Sequence, residues 1–140
     1  MERDAKELEA GIRARGLPEA VVALALHGGP TVHPALEYRA ESVWAPSWAV
    51  IEHSGRVDLL PLWSCGTTTY YSAADGTFLE WNAEEDEPWR TFATFAELVR
   101  SLLTDLYEDE VEEDDRRQIA RLLLPRRLVR RALRPEDRDA

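Results

Sequence analysis

Four side chains in this sequence have the chemistry to hold a metal ion or to act as a nucleophile: His27, His33, His53 and Cys65. Zinc sites usually contain ligand pairs that are close in sequence, such as C-x-x-C or two histidines four residues apart on a helix, and these residues show neither spacing. Cys65 would need a base beside it to become a nucleophile. A cysteine between Ser64 and Gly66 is more typical of a small buried side chain at a strand end. We predict no metal ligand and no catalytic cysteine.

Other enzyme signatures are incomplete. His27-Gly28-Gly29 resembles an oxyanion-hole segment, but the sequence has no G-x-S-x-G nucleophile motif and no phosphate-binding glycine loop. Glu80 and the carboxylates at 84–87 are of the type that forms a glycosidase acid pair. Consecutive carboxylates are more simply explained as a solvated turn or an acidic contact surface. We predict that the protein is not an enzyme, with no catalytic residues and no cofactor.

Charge is segregated along the chain, whose net charge is −10. From Glu80 to Asp115 there are 14 acidic and 2 basic residues, whereas from Arg116 to Ala140 there are 9 arginines and 3 acids. An acidic protein favours basic partners and disfavours phosphate backbones. The C-terminal arginines suit an anionic membrane or nucleic acid, or they neutralise the Glu108–Asp115 run and the helix carbonyl ends next to them. Their adjacency favours neutralisation, so we expect a protein partner and neither nucleic acid nor a membrane.

Length and composition indicate one globular domain. The chain has 140 residues, 44% of them apolar, which is ordinary for a folded protein with a core. A single cysteine excludes an internal disulfide, and neither a signal peptide nor a membrane-length apolar run is evident. We therefore expect a soluble, cytoplasmic protein. The sequence does not indicate its oligomeric state.

The clearest elements lie between Leu59 and Leu106. Three short strands are predicted, at Leu59–Trp63, Thr67–Ser72 and Thr77–Trp81, with Asp75-Gly76 as the hairpin turn between the last two. An amphipathic helix follows, which begins with a capping box formed by Thr94 and Glu97. Its apolar stripe has helical spacing: Phe95, Leu98, Val99, Leu102, Leu103 and Leu106.

The N-terminal half is predicted to begin with two helices. The first spans Arg3–Arg15, and the second begins at Pro18 and ends at Gly28-Gly29-Pro30. Further strand candidates follow: Leu36–Ala40, Ser42–Trp44 and Trp48–His53. The predicted fold is α+β, with a predominantly antiparallel sheet of four to six strands between N-terminal helices and a C-terminal amphipathic helix.

The end of the chain departs from this pattern. Glu112 and Glu113 precede Arg116 and Arg117 by four residues, which favours helical ion pairs and a helix that continues out of the acidic run. Pro125 is expected to break this helix, and the last six residues to fray. We therefore divide the chain into a domain at 1–108 and a charged helical C-terminal extension at 109–140.

Several segments together resemble the SUKH superfamily. They are the Leu-Pro-Leu strand, a glycine followed by tyrosines, the hairpin that closes on DGTFLEW, the acidic loop, and TFATFAELVRSLL. The resemblance runs from about Leu8 to Leu106 when Leu17-Pro18 and Gly28-Gly29 are included. The superfamily contains many bacterial immunity proteins of polymorphic toxin systems, and relatives of a yeast cell-wall-synthesis regulator. The resemblance implies a SUKH-like α+β domain at 1–108.

The function that this resemblance implies is that of a non-catalytic immunity protein. It would bind and neutralise a cognate toxin, with nucleases as one candidate class because their active sites are basic. The candidate contact residues are the acidic loop and its neighbouring tryptophans: Glu84, Glu85, Asp86, Glu87, Trp89 and Trp81. Core packing is the competing interpretation for the tryptophans, and we favour it for Trp81.

Two other functions are weighed against this one. A regulatory or scaffold domain that binds an endogenous partner is the alternative suggested by the yeast relatives. A small enzyme would be indicated if His27, His53 and Cys65 lined one pocket.

Overall fold

An antiparallel sheet lies between two unequal helical layers in the computed structural model, which describes residues 4–138. The strands have the order β1-β2-β3-β4, and every neighbouring pair is antiparallel. Within the described residues the elements are α1 Ala5–Ala14, α2 Glu19–His27, α3 Ala45–Ser54, β1 Leu60–Cys65, β2 Thr68–Ser72, β3 Phe78–Asn82, β4 Arg90–Phe92, α4 Phe95–Glu108, α5 Glu113–Leu123 and α6 Arg126–Ala132. The predicted α+β class, with an antiparallel sheet, is confirmed.

Side chains alternate across the sheet and produce two cores. Tyr71, Leu79 and Trp81 point to one face, where they pack with Val50 of α3. The opposite face carries Phe78 and other residues that join the main core formed with α1, α2, α4, α5 and α6, to which Trp48 of α3 also contributes. The small α3 layer and the large helical layer are therefore on opposite sides of the sheet.

The predicted hairpin and helix cap are both present. Gly76 takes a φ of +90°, and Asp75 Oδ1 accepts a hydrogen bond from the Thr77 N–H at 3.0 Å, which closes the β2–β3 turn. At the start of α4, Thr94 Oγ1 accepts from the Glu97 N–H at 3.2 Å. The Glu97 carboxylate accepts from the Ala93 N–H at 3.0 Å, one residue before the position that a standard capping box uses.

The strand predicted at Trp48–His53 is wrong, because these residues lie in α3. Pro46 occupies the first turn of this helix, where its missing N–H costs nothing, and Gly55 ends it with a φ of +73°. The apolar residues were too few to distinguish helix from strand by periodicity. The flanking proline and glycine were the better signals.

The strands predicted at Leu36–Ala40 and Ser42–Trp44 are also absent from the described residues. Pro34–Leu36 is a single 3₁₀ turn, and only an isolated bridge joins Glu41 to Ser64 of β1. A side chain at Gly29 would have its Cβ 2.6 Å from the Ala40 carbonyl oxygen. The chain therefore folds back closely over Gly29, with residues 37–39 in a turn and the Gly29 N–H donating to the Ala40 carbonyl at 2.7 Å.

The C-terminal segment differs from its prediction in two places. Helix α4 ends at Glu108 and α5 begins only at Glu113, with Glu110 at a φ of +66° between them, so the helix does not continue through the acidic run. The predicted fraying is wrong for 135–138, where Glu136 pairs with Arg90, while 139–140 lie outside the described residues. Pro125 separates α5 from α6 as predicted. The α5 and α6 side chains that join the main core are Ile119, Ala120, Leu123, Leu124, Val129 and Ala132.

A candidate protein-binding loop

The acidic loop, residues 83–89, connects β3 to β4, and hydrogen bonds to residues of β3 fix its backbone. The Trp81 indole N–H donates to the Glu85 carbonyl oxygen at 3.0 Å. Asn82 accepts from the loop twice, through its side chain from the Glu84 N–H at 2.9 Å and through its carbonyl from the Glu85 N–H at 3.0 Å. The Trp89 N–H donates to the Glu80 carbonyl at 2.8 Å and closes the loop. These four bonds fix the backbone between the two strands.

Asn82 is itself anchored to the neighbouring strand. Its side-chain amide donates to Thr67 Oγ1 at 3.0 Å and to Thr68 Oγ1 at 3.1 Å. The sequence analysis did not identify this residue. The signal that would have found it is an asparagine at the end of a predicted strand. Asparagine side chains in that position commonly accept a hydrogen bond from the backbone N–H two residues later, as Asn82 does from Glu84.

The four loop carboxylates point to solvent. Glu84, Glu85, Asp86 and Glu87 are all exposed, and across residues 4–138 none of them forms an ion pair with lysine or arginine. Asp86 Oδ1 lies 3.6 Å from His53 Nε2 of α3, with both side chains well exposed. An ion pair in such full solvent contributes little. The loop therefore presents concentrated negative charge that its surroundings leave largely uncompensated.

The two candidate tryptophans occupy different positions. Trp89 is 57% exposed beside the carboxylates. Trp81 is 4% exposed and packs in the α3 core, as the core-packing interpretation predicted. Trp81 therefore supports the loop from beneath, and Trp89 is the aromatic side chain that a partner can reach.

Glu80 is separate from this exposed group. It is half-buried on β3, and burial, with a smaller contribution from Asp105, raises the pKa of its carboxyl group. Arg90 and Arg138 oppose that increase. Glu80 therefore belongs to the polar packing around α4, away from the acidic surface of the loop.

The histidines and the cysteine have unrelated surroundings. His33 Nε2 lies 2.9 Å from Gln118 Oε1, His53 faces the acidic loop, and His27 is exposed at the end of α2. Burial raises the pKa of the Cys65 thiol, whose sulfur lies 3.7 Å from the Tyr38 carbonyl oxygen. In the part of the chain that the structure describes, no group of three or more His, Cys, Asp or Glu side chains is arranged to hold a metal ion.

The C-terminal arginines were predicted to neutralise the acidic run, and two of them, Arg117 and Arg138, pair with its carboxylates. Arg117 pairs with Glu113 at 2.9 Å, and Arg138 pairs with Glu108 at 2.8 Å. The predicted pair of Glu112 with Arg116 is not formed; the Arg116 side chain is buried and donates to the Val111 carbonyl. A further group of arginines makes no ion pair with residues 4–138: Arg121, Arg126, Arg127, Arg130, Arg131 and Arg134. Of these, Arg121 lies in the last turn of α5, and Arg130 and Arg131 lie in the last turn of α6, beside helix carbonyl ends as predicted.

Comparisons of the chain with protein-family models, with curated proteins and with solved structures give no match. The resemblance to the SUKH superfamily therefore stays a prediction from the sequence. None of the helices described between residues 4 and 138 is both long enough and apolar enough to cross a membrane.

Proposed function

We propose that the protein is a non-catalytic binding domain whose acidic loop binds a basic partner protein. The observation that carries the proposal is the pairing of exposed, uncompensated carboxylates at 84–87 with a backbone fixed by hydrogen bonds from Trp81 and Asn82. A loop that is already ordered loses little conformational entropy when it binds. Complementary charge raises the association rate and selects the partner.

Trp89 gives this surface its apolar anchor. Tryptophan is enriched among the few residues that dominate interface energies, because it combines large area with few rotatable bonds. At 57% exposure beside the loop, Trp89 can bury further area against a partner while the carboxylates engage its cations. Truncating such an anchor typically costs about 2 kcal/mol or more of binding energy.

Within this class, we propose an immunity protein that neutralises a cognate toxin by covering its active site. The support is the SUKH resemblance of the segment from Leu59 to Leu106, together with the acidic loop. A nuclease is the toxin class that fits best, since a site that binds phosphate is basic and would attract the loop carboxylates. A regulatory domain that binds an endogenous partner is the alternative, and the same experiment separates the two.

The test is capture of the partner from a lysate of the host by tagged protein, at low and high salt, with mass spectrometry. Three baits are compared: the wild-type chain, a loop variant with Glu84, Glu85, Asp86 and Glu87 replaced by Lys, and a control with Glu7, Glu37, Glu110 and Glu112 replaced by Lys. The control residues are also exposed acids, so both variants change the net charge equally.

We expect the wild-type and control baits to capture one dominant basic protein, encoded beside this chain, which high salt and the loop variant both release. Capture of a cytoplasmic assembly encoded elsewhere would favour the regulatory domain. Partner binding that is unchanged in the loop variant and at high salt would contradict the proposal.

A further inference from the structure

A basic groove lies between α5 and α6, in the helical layer opposite α3. Its volume is about 700 Å³, which is enough for several side chains of a bound segment rather than for a single ion. Four arginines and three aliphatic residues line it: Arg117, Arg121, Arg126, Arg130, Leu124, Val129 and Leu133. Of these arginines, only Arg117 forms an ion pair with another residue between positions 4 and 138.

Two of the three apolar residues of the groove are recessed, and the third, Leu133, is half-buried. Leu124 and Val129 are each 7% exposed, so they form a floor beneath the arginine side chains. Insertion into a membrane requires apolar side chains that protrude, and a phosphate backbone makes no use of an apolar floor. A segment that carries carboxylates together with a large apolar side chain matches both parts of the groove, since arginine binds carboxylates through two parallel N–H donors.

The chain itself contains a segment of that chemistry. The acidic loop presents uncompensated carboxylates at 84–87 beside the exposed indole of Trp89. This loop contacts α3 through His53, on the side of the sheet opposite the groove, and none of its residues lines the groove. A loop therefore reaches this groove only from another molecule.

We propose that the acidic loop of one copy docks in the α5–α6 groove of a second copy. The loop carboxylates would pair with Arg121, Arg126 and Arg130, and Trp89 would cover the apolar floor. The contact pairs two different surfaces, so it either closes reciprocally as a two-fold dimer or continues head to tail into a larger ring or a filament. This association does not depend on the proposed toxin, although a partner bound at the loop would compete with it.

The overall charge gives this association a distinctive salt dependence. Each copy carries a net charge of −10, so whole molecules repel at low ionic strength. At 0.1–0.15 M salt the Debye length is about 8–10 Å, which screens the long-range repulsion more than the contacts inside the groove. Association is therefore expected to be strongest at intermediate salt and to be lost near 1 M.

The test measures molar mass by sedimentation equilibrium for the wild-type chain and for two charge-reversed variants. The groove variant is R126E/R130E, and the loop variant is E84R/E85R. Each variant alone faces like charges across the contact, so we expect its dissociation constant to rise at least about tenfold. A mixture of the two restores opposite charges, and we expect association to return. R127E/R131E is the matched control, since it reverses two arginines of the same helix that do not line this groove.

Thermal melting is measured for every variant, and we expect each to keep the wild-type fold because the changed side chains are exposed. Wild-type protein that stays monomeric at every salt concentration, up to about 1 mM chain, would overturn the proposal. So would an equal loss of association in R127E/R131E, or a mixture of the two variants that remains monomeric. Monomeric wild-type protein that binds a nucleic acid duplex through Arg126 and Arg130 would assign the groove to phosphate and overturn it as well.

Discussion

The acidic loop between β3 and β4 and the acidic segment at 105–115 carry the same kind of side chain in different electrostatic surroundings. In the segment, five carboxylates each face an arginine at 2.5–3.3 Å: Asp105, Glu108, Asp109, Glu113 and Asp114. In the loop, none of the four does so within the described chain. Two of the three arginines that neutralise the segment are distant in sequence, Arg39 and Arg138. Composition alone therefore does not distinguish an acidic binding surface from an acidic structural segment; tertiary pairing does.

The acidic segment and the acidic loop also differ in which of their parts the surrounding structure fixes. The segment joins two helices whose apolar faces are part of the main core, and its charges are fixed by that packing. The loop backbone is also fixed, by hydrogen bonds with Trp81 and Asn82, but none of its carboxylates at 84–87 pairs with an arginine or lysine of residues 4–138. A fixed backbone with free charges is the arrangement that favours recognition.

The largest expected effect concerns the core beneath the paired segment. Ile119 of α5 is fully buried in the main core, so I119A should lower the free energy of unfolding by about 2–5 kcal/mol. Denaturant unfolding should show one cooperative transition in both proteins. A separate early transition for 109–140 would mean that the paired segment is only loosely attached to the core. The acidic segment would then not be a structural element, and its contrast with the acidic loop would fail.

Arg90 provides the next largest effect. It pairs with Glu136, whose carboxylate is 13% exposed. Burial alone would raise the pKa of Glu136, but Arg90 and Arg138 together hold that pKa below its usual value. R90A should cost about 1–3 kcal/mol, because it leaves the carboxylate with one fewer partner. A double-mutant cycle with E136A measures the coupling; a coupling near zero would show that this pairing adds nothing to stability.

Acid pH should affect the paired segment through Asp109. The hydrogen bond from Arg39 lowers the pKa of this carboxyl group, with burial opposing and the arginine charge adding to the shift. A pKa that is lower in the folded state gives stability that is present above the unfolded value of about 3.9 and is lost as the pH falls through the folded value. The pair is partly exposed, so the loss should be below about 1 kcal/mol. In unfolding measurements between pH 6 and pH 2, D109N should lose less stability on acidification than the wild-type protein. An unchanged pH dependence would contradict the assignment of this loss to Asp109.

The smallest effect on stability is expected at the loop itself. Replacing Glu84, Glu85 and Glu87 with Gln should change the free energy of unfolding by less than about 0.5 kcal/mol, since these exposed side chains have no arginine or lysine partner among residues 4–138. The same variant should lose most of its affinity for a basic partner. A clear destabilisation would show that the loop carboxylates stabilise the fold and would make the two acidic segments alike.

The sequence was most informative where local rules are strong. Asp75-Gly76 and Thr94 with Glu97 carry turn and cap chemistry that acts over a few residues, and both were predicted at the positions where the structure has them. Trp48–His53 was misassigned because so short a segment has too few apolar residues to distinguish helix from strand by periodicity. In α3, Trp48 and Val50 are buried, while the exposed residues are Ala49, Glu52 and His53. For this segment, the tertiary role of covering the second face of the sheet decided the outcome.

The candidate site was predicted only in part, because some of its features are local in sequence and others depend on tertiary contacts. A run of carboxylates indicates an acidic loop, and their exposure follows from simple solvation. The loop support by Asn82 and the burial of Trp81 depend on strand pairing, which brings Thr67 and Thr68 beside Asn82. The groove arginines of α6, Arg126 and Arg130, were missed because adjacency in sequence suggested neutralisation, whereas neither forms an ion pair with residues 4–138.

The most direct test of the acidic loop as the contact surface is hydrogen–deuterium exchange of the chain, alone and with its captured partner. We predict that the free chain already protects the Glu84, Glu85 and Trp89 amides, which donate to Asn82 and Glu80. At a chain concentration low enough to keep the free protein monomeric, partner binding should add protection at 83–89 and leave α5 and α6 unchanged. Added protection elsewhere, with 83–89 unaffected, would contradict the account and assign the contact to another surface.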